Sequence, residues 1–217
     1  MPPPLPPPLP PETRTVGQLV AETIRLYGRR ASLAVPLGLA IAAADQFAIG
    51  HSVKERAVVY AAATPLFALA HAGASWLVAA ARPAPRALVT AVALGTIVYL
   101  PTAVLFPWFA IASVAWLALV GLAVPVAVIE GAGPLTALRR GFALGRVDYV
   151  HAVGSLAALV VIFGLMRVLL AVLLHAQADN TARLAVFLAD LVLSPLLFLG
   201  AALLYVDQEA RSRIGKP

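Results

Sequence analysis

The sequence predicts an all-α fold: a polytopic transmembrane bundle of six spans, with two further amphipathic helices lying on one membrane face. Three observations predict it. Of the 217 residues, 61% are hydrophobic and only 12% charged, about half the charged share of a soluble domain, and the mean hydropathy is +0.91. The apolar residues fall into six stretches, each near the ~20 residues that cross ~30 Å of hydrocarbon. The basic residues are distributed between those stretches and collect on one side of them, which is how loops set membrane topology.

Residues 1–14 form a tail that opens Met-Pro-Pro-Pro-Leu-Pro-Pro-Pro. Proline fixes φ and lacks an N–H, so this tract is expected to be extended or disordered; a docking role for it is the less favoured reading. No basic segment leads into an apolar run, so no secretory signal is expected. Thr15-Val-Gly-Gln18 has the form of a capping box, with Thr15 as N-cap and Gln18 reaching back. Beyond it Val16, Leu19, Val20, Ile24 and Tyr27 share one face, and Gln18, Glu22, Arg25 and Arg29 share another. The segment reads as an interfacial helix.

The spans follow at residues 31–50, 57–81, 87–107, 108–129, 152–174 and 183–206. Pro101 and Phe106-Pro107-Trp108 mark an uncharged turn between the third and fourth, which leaves a re-entrant hairpin open as an alternative there. The membrane domain is expected over residues 15–207 and a cytoplasmic tail over 208–217. With six spans, Arg14, Arg25, Arg29, Arg30, Arg82, Arg86, Arg139, Arg140, Arg146, Arg211, Arg213 and Lys216 share one side. Only Lys54, Arg56 and Arg183 lie on the other. A bias of twelve against three places both termini in the cytoplasm, and the expected location is a bacterial inner (plasma) membrane. The net charge of +6 therefore points to anionic lipid headgroups on the cytoplasmic side, not to nucleic acid.

Between the fourth and fifth spans, Gly133-Pro134 looks like a helix start. Leu135, Leu138 and Phe142 then line one face, and Arg139, Arg140 and Arg146 are the polar residues of this second amphipathic helix. Gly141 and Gly145 make a G-x-x-x-G pair that permits close packing. The stretch Pro125-Val-Ala-Val-Ile-Glu130-Gly-Ala-Gly-Pro134-Leu-Thr-Ala-Leu-Arg-Arg140-Gly-Phe-Ala-Leu-Gly-Arg146 resembles the signature of the glycerophosphoryl diester phosphodiesterase membrane-domain family, a group of six-helix bacterial membrane proteins. Thr15 to Tyr27 is similar to that family's opening helix, and Tyr205-Val-Asp207-Gln-Glu-Ala-Arg211 to its closing motif. Gly141 stands where the family usually carries Ser. The resemblance implies a membrane module without phosphodiesterase activity, because 217 residues leave no room for a catalytic barrel of ~250.

Charges inside spans are function candidates. Arg167 lies seven residues before Leu174, Asp190 seven after Arg183, and Asp45 five before Gly50. All three share one depth, so Arg167 is expected to pair with Asp190, with Asp45 nearby. A bundle-fixing ion pair is the favoured reading over a transport step, since nothing in the sequence is taken to break the helices. Glu130 sits before the Gly-Pro helix start as a hinge lock, within reach of Arg139 or Arg140. His71 and Ser75 are one helical turn apart, but no third group orients them, and Ser in a span usually bonds its own helix. His51, His151 and His175 fall at span ends and read as interfacial. The chain has no cysteine, no metal-ligand spacing and no phosphate loop, so no cofactor and no enzymatic activity are expected. The expected role is a non-catalytic membrane module that binds or positions partners or lipids, with a small transporter or channel as the alternative.

The absence of cysteine makes the topology directly measurable. In intact cells, an impermeant thiol reagent should label Gln177→Cys and spare Ser212→Cys; the reverse pattern contradicts the orientation.

Overall fold

A computed structural model of the chain describes residues 10–79, 83–174 and 179–214. Most of the proline tract, Arg82, His175, Gln177 and Lys216 lie outside these residues. Every regular element described is helical. Five segments are long and apolar enough to cross a membrane, and a bent pair makes the sixth: Ala31–Ala48, Val53–Ala62 with Thr64–Ala79, Pro85–Leu105, Ala110–Ile129, Tyr149–Leu173 and Asn180–Ile214. The third and fourth are thus each of full crossing length, where a short re-entrant hairpin was the alternative. Helix α1 (Val16–Arg29) begins with the expected capping box, Gln18 N–H donating to Thr15 Oγ1 and Thr15 N–H to Gln18 Oε1 at 2.8 Å.

Four of the six spans are broken, contrary to the sequence-based expectation of continuous helices. The first is interrupted between α2 (Ala31–Ala34) and α3 (Leu39–Ala48) by a 3-10 turn containing Pro36. The second bends by 52° between α4 (Val53–Ala62) and α5 (Thr64–Ala79), where Pro65 follows. After the continuous α6 (Pro85–Leu105), the fourth breaks at Gly121 and Leu122 between α7 (Ala110–Val120) and α8 (Ala123–Ile129), two residues before Pro125. Beyond α9 (Pro134–Gly145) and α10 (Tyr149–Leu173), the sixth breaks at Ser194 between α11 (Asp179–Leu193) and α12 (Pro195–Ile214). A proline inside a helix has no N–H for the carbonyl four residues earlier, and its ring crowds that carbonyl. Local chemistry repairs the loss: Thr64 Oγ1 donates to Ala61 O, the carbonyl that Pro65 leaves without a donor, at 2.8 Å.

The breaks divide the bundle into two unlike halves. At the end that carries both termini, α5, α8 and α12 pack on one another and α5 and α8 also on α6, with α1 and α9 flanking. Six residues of α8 and ten of α12 are buried there. At the far end α3, α4, α6, α7, α10 and α11 are neighbours in sequence around a closed ring. Burial thins accordingly, and no residue of α10 beyond Leu159 is buried.

Two close approaches hold the halves together. A Cβ on Gly38 would sit 2.7 Å from the Leu191 carbonyl carbon, so only glycine lets the first break nest in the sixth. Ser194 Oγ donates to Gly38 O across that junction. On α9, a Cβ at Gly141 would lie 2.6 Å from Ala123 Cα, and one at Gly145 2.8 Å from Ala118 O. The G-x-x-x-G pair therefore packs on the backbone of the fourth span, and a side chain has no room at position 141.

The expected ends of the membrane domain shift. Helix α12 continues through Ile214 with Gln208 fully buried, so residues 208–214 are part of the domain and not a free tail. At the other end Pro11–Thr13 is a 3-10 turn and Arg14 is 5% exposed, so the tail does not extend to residue 14.

Gly38→Ala and Gly141→Ala should each lower stability by about 1–3 kcal/mol through overpacking. Gly164→Ala, where nothing lies within 4 Å of the added Cβ, should leave it unchanged or raise it. Thermal unfolding in detergent, followed by tryptophan fluorescence, reads the contrast; equal effects at the three sites contradict it.

Candidate functional site

The far-end ring encloses a cavity of about 200 Å³. Six aromatic side chains line it: Tyr60, Phe67, Tyr99, Phe106, Phe163 and Phe198. Most of the remaining lining is aliphatic, from α3, α6, α7, the break after α7, α10 and α12. A second cavity of about 170 Å³ lies beyond it, against Ala48, Ile49, Gly50 and Arg56. Asp45, Tyr60 and Arg167 line both. These three residues are therefore the wall shared by an inner chamber and an outer vestibule.

The three intramembrane charges predicted from their depth do meet, in a different order of contact. The Arg167 guanidinium donates to Asp45 Oδ2 as its closest partner, and its Nε lies 3.5 Å from Asp190 Oδ1. Asp45, expected only nearby, is the principal partner, and Tyr60 OH also donates to it at 2.7 Å. Arg167 lies over the Phe163 ring, 5.7 Å from its centroid. Its side chain is 34% exposed, whereas Asp190 is fully buried and neither carboxylate oxygen has a hydrogen-bond partner. The hydrogen bonds that Tyr60 and Arg167 make in the cluster both go to Asp45, and Asp190 keeps only the longer ion pair with Arg167. The cluster holds two carboxylates and one guanidinium, an excess of one negative charge in a place where burying charge is costly.

Deeper in the chamber, Tyr99 OH and His71 Nδ1 are hydrogen-bonded at 3.1 Å. His71 Nε2 and Thr102 Oγ1 are buried without partners, and both residues line the chamber. Ser75 Oγ donates to His71 O at 2.8 Å, so the serine bonds its own helix as expected. Arg56 Nε donates to His51 O at the vestibule rim.

At the terminal end, Glu130 meets side chains of α9 and α12. Arg140 Nε donates to Glu130 Oε1 at 2.7 Å and its other nitrogen to Glu209 Oε2 at 2.6 Å, while Tyr205 OH donates to Glu130 at 2.8 Å. The Glu130 hydrogen bond holds Arg140 above the ordinary arginine range. Gly133 is the N-cap and Pro134 opens the helix. Arg139 is exposed and apart from this cluster; Arg146 lies over the Phe142 ring. A second network there was not foreseen. Arg14 bonds Asp207 at 2.6 Å, Arg211 bonds Asp148 at 2.6 Å, and the Gln208 amide bridges the Asp148 backbone. His151 is 9% exposed, 3.6 Å from Asp207, and so is a buried residue of this network, not an interfacial one. The closing motif Tyr205, Asp207 and Arg211 thus ties α12 to the N-terminal turn, to α10 and to the α8–α9 loop.

Sequence reasoning missed Tyr60, Arg56 and the chamber itself. The signal for Tyr60 was its place about one helical turn from the far end of the second span, but pairing it with Asp45 requires the bend at Ala63. No group of three or more His, Asp or Glu side chains is arranged to hold a metal among the described residues. No protein-family model matches the chain, and no curated protein or solved structure does.

Arg167→Gln should cost about 2–4 kcal/mol, because the buried carboxylate of Asp45 then lacks its cation. Adding Asp45→Asn should recover most of that loss in the same unfolding measurement. A double variant no more stable than Arg167→Gln contradicts the charge count.

Proposed function

We propose that the protein is a non-catalytic carrier of the membrane that takes an amphipathic organic cation of modest size into the far-end chamber. The observation behind this reading is an aromatic-lined chamber that ends on a buried cluster with one uncompensated negative charge. Aromatic faces attract cations, most strongly where water is excluded, and apolar pockets with few polar groups suit small molecules. His71 Nε2 and Thr102 Oγ1 offer such a ligand hydrogen bonds at the opposite end from its charge. Broken helices beside a buried charge are also the usual architecture of transporter sites. They favour the transport alternative over a module that only positions partners.

The rest of the reading concerns placement. In it the protein crosses the bacterial plasma membrane six times with both termini in the cytoplasm, as the arginine bias supports. Exposed Arg139 and Arg146 on α9 face anionic headgroups there. The terminal end is the closed side and the vestibule the open side. The motif around Glu130 and Arg140 supports kinship with the membrane module of the phosphodiesterase-linked family.

Purified protein should bind phenyltrimethylammonium and discriminate at least tenfold against benzenesulfonate, an aromatic anion of similar size, by equilibrium dialysis. Ala103→Phe, which fills the chamber, should abolish that binding. Equal binding of the two probes, or preference for the anion, contradicts the reading.

A further inference from the structure

We propose that Asp45 and Asp190 hold one proton between them when the chamber is empty, and that the ligand's positive charge displaces it. This rests on the carrier reading for the ligand but not for the proton. Helix α11, which carries Asp190, packs against α3, α10, α12 and the Val35–Gly38 turn. The charged groups that face it are Asp45 from α3 and Arg167 from α10; the carboxylates of α12, Asp207 and Glu209, belong to the terminal-end network, and the turn carries none. Tyr60 from α4 reaches only Asp45.

The donor count decides where the proton sits. Asp45 accepts from Tyr60 OH and from Arg167. Asp190 accepts from neither, and its two oxygens are both buried and unbonded. A fully buried, unbonded carboxylate beside another carboxylate is far less costly as the neutral acid, and two carboxylates sharing one site titrate as a pair that retains one proton. The proton therefore resides on Asp190, and its O–H supplies the hydrogen that the site otherwise lacks.

A cation entering the chamber at Asp45 changes the balance. It replaces the missing positive charge, so the Asp190 O–H bond breaks and the proton leaves. The vestibule gives it an exit, because Asp45 and Arg167 line that cavity as well as the chamber. One proton leaves for each cation bound and no other bond changes. A ligand entering from the far end and a proton leaving toward it make the cluster an exchange site, in which either occupant, but not both, neutralises the excess charge.

Infrared difference spectroscopy tests this on the full chain in lipid nanodiscs. Near neutral pH the ligand-free protein should show the C=O stretch of a protonated, buried carboxyl group, and Asp190→Asn should lack it. Saturating phenyltrimethylammonium should remove the band, and titration calorimetry in buffers of different ionisation enthalpy should count about one proton released. The apparent affinity should then rise with pH by at most about tenfold per unit. Absence of the band in the ligand-free protein overturns the shared proton. Binding that leaves the band intact and releases no proton overturns the exchange while the carrier reading stands. A band that is present while the probe fails to bind leaves the proton in place and removes the carrier.

Discussion

A proline amide has no hydrogen to give, and this chain places prolines inside or beside the breaks of four spans. Each break ends one set of backbone hydrogen bonds and starts another at a different angle, most plainly the 52° bend at Ala63. Straight spans would pack along their whole length. Broken ones let the terminal-end halves close on each other while the far-end halves open into a ring. The first and sixth breaks depend on each other, since Gly38 accepts the Leu191 backbone only because it has no side chain. The chamber follows from that geometry: a space inside a ring of helices whose inner ends are held by a packed core.

The two ends treat charge in opposite ways. At the terminal end the four carboxylates of Glu130, Asp148, Asp207 and Glu209 are met by four guanidiniums, those of Arg14, Arg140, Arg211 and Arg213, so the network is balanced. It joins the N-terminal turn, α9, α10 and α12, which is the set of elements that has to stay together if that end is closed. At the far end two carboxylates share one guanidinium. A balanced cluster stabilises an arrangement; an unbalanced one stabilises whatever arrives to balance it. That asymmetry is why the far end is the better candidate for a function and the terminal end for a scaffold.

Much of this was legible beforehand. Helical class, six spans and two amphipathic helices follow from hydrophobic stretches, capping residues and charge spacing, because lipid leaves a spanning backbone few options. The convergence of Asp45, Arg167 and Asp190 also follows from sequence, since depth in a bilayer is counted in residues. The identity of the closest pair was not legible: which carboxylate the guanidinium meets depends on how α3, α10 and α11 are arranged around the ring. Tyr60 and the buried His151 escaped for the same reason, each being placed by a neighbouring helix and not by its own.

By itself, then, the sequence determined how many helices are long and apolar enough to cross a membrane, where the charges lie along them and which glycines could pack closely, all of them properties of one helix against its solvent. Only the tertiary structure decided that the prolines open a chamber, that Asp45 takes both hydrogen bonds and that Asp190 keeps only an ion pair. Those outcomes depend on contacts among four or more helices at once, and no periodicity within a single helix encodes the angle at which another will meet it.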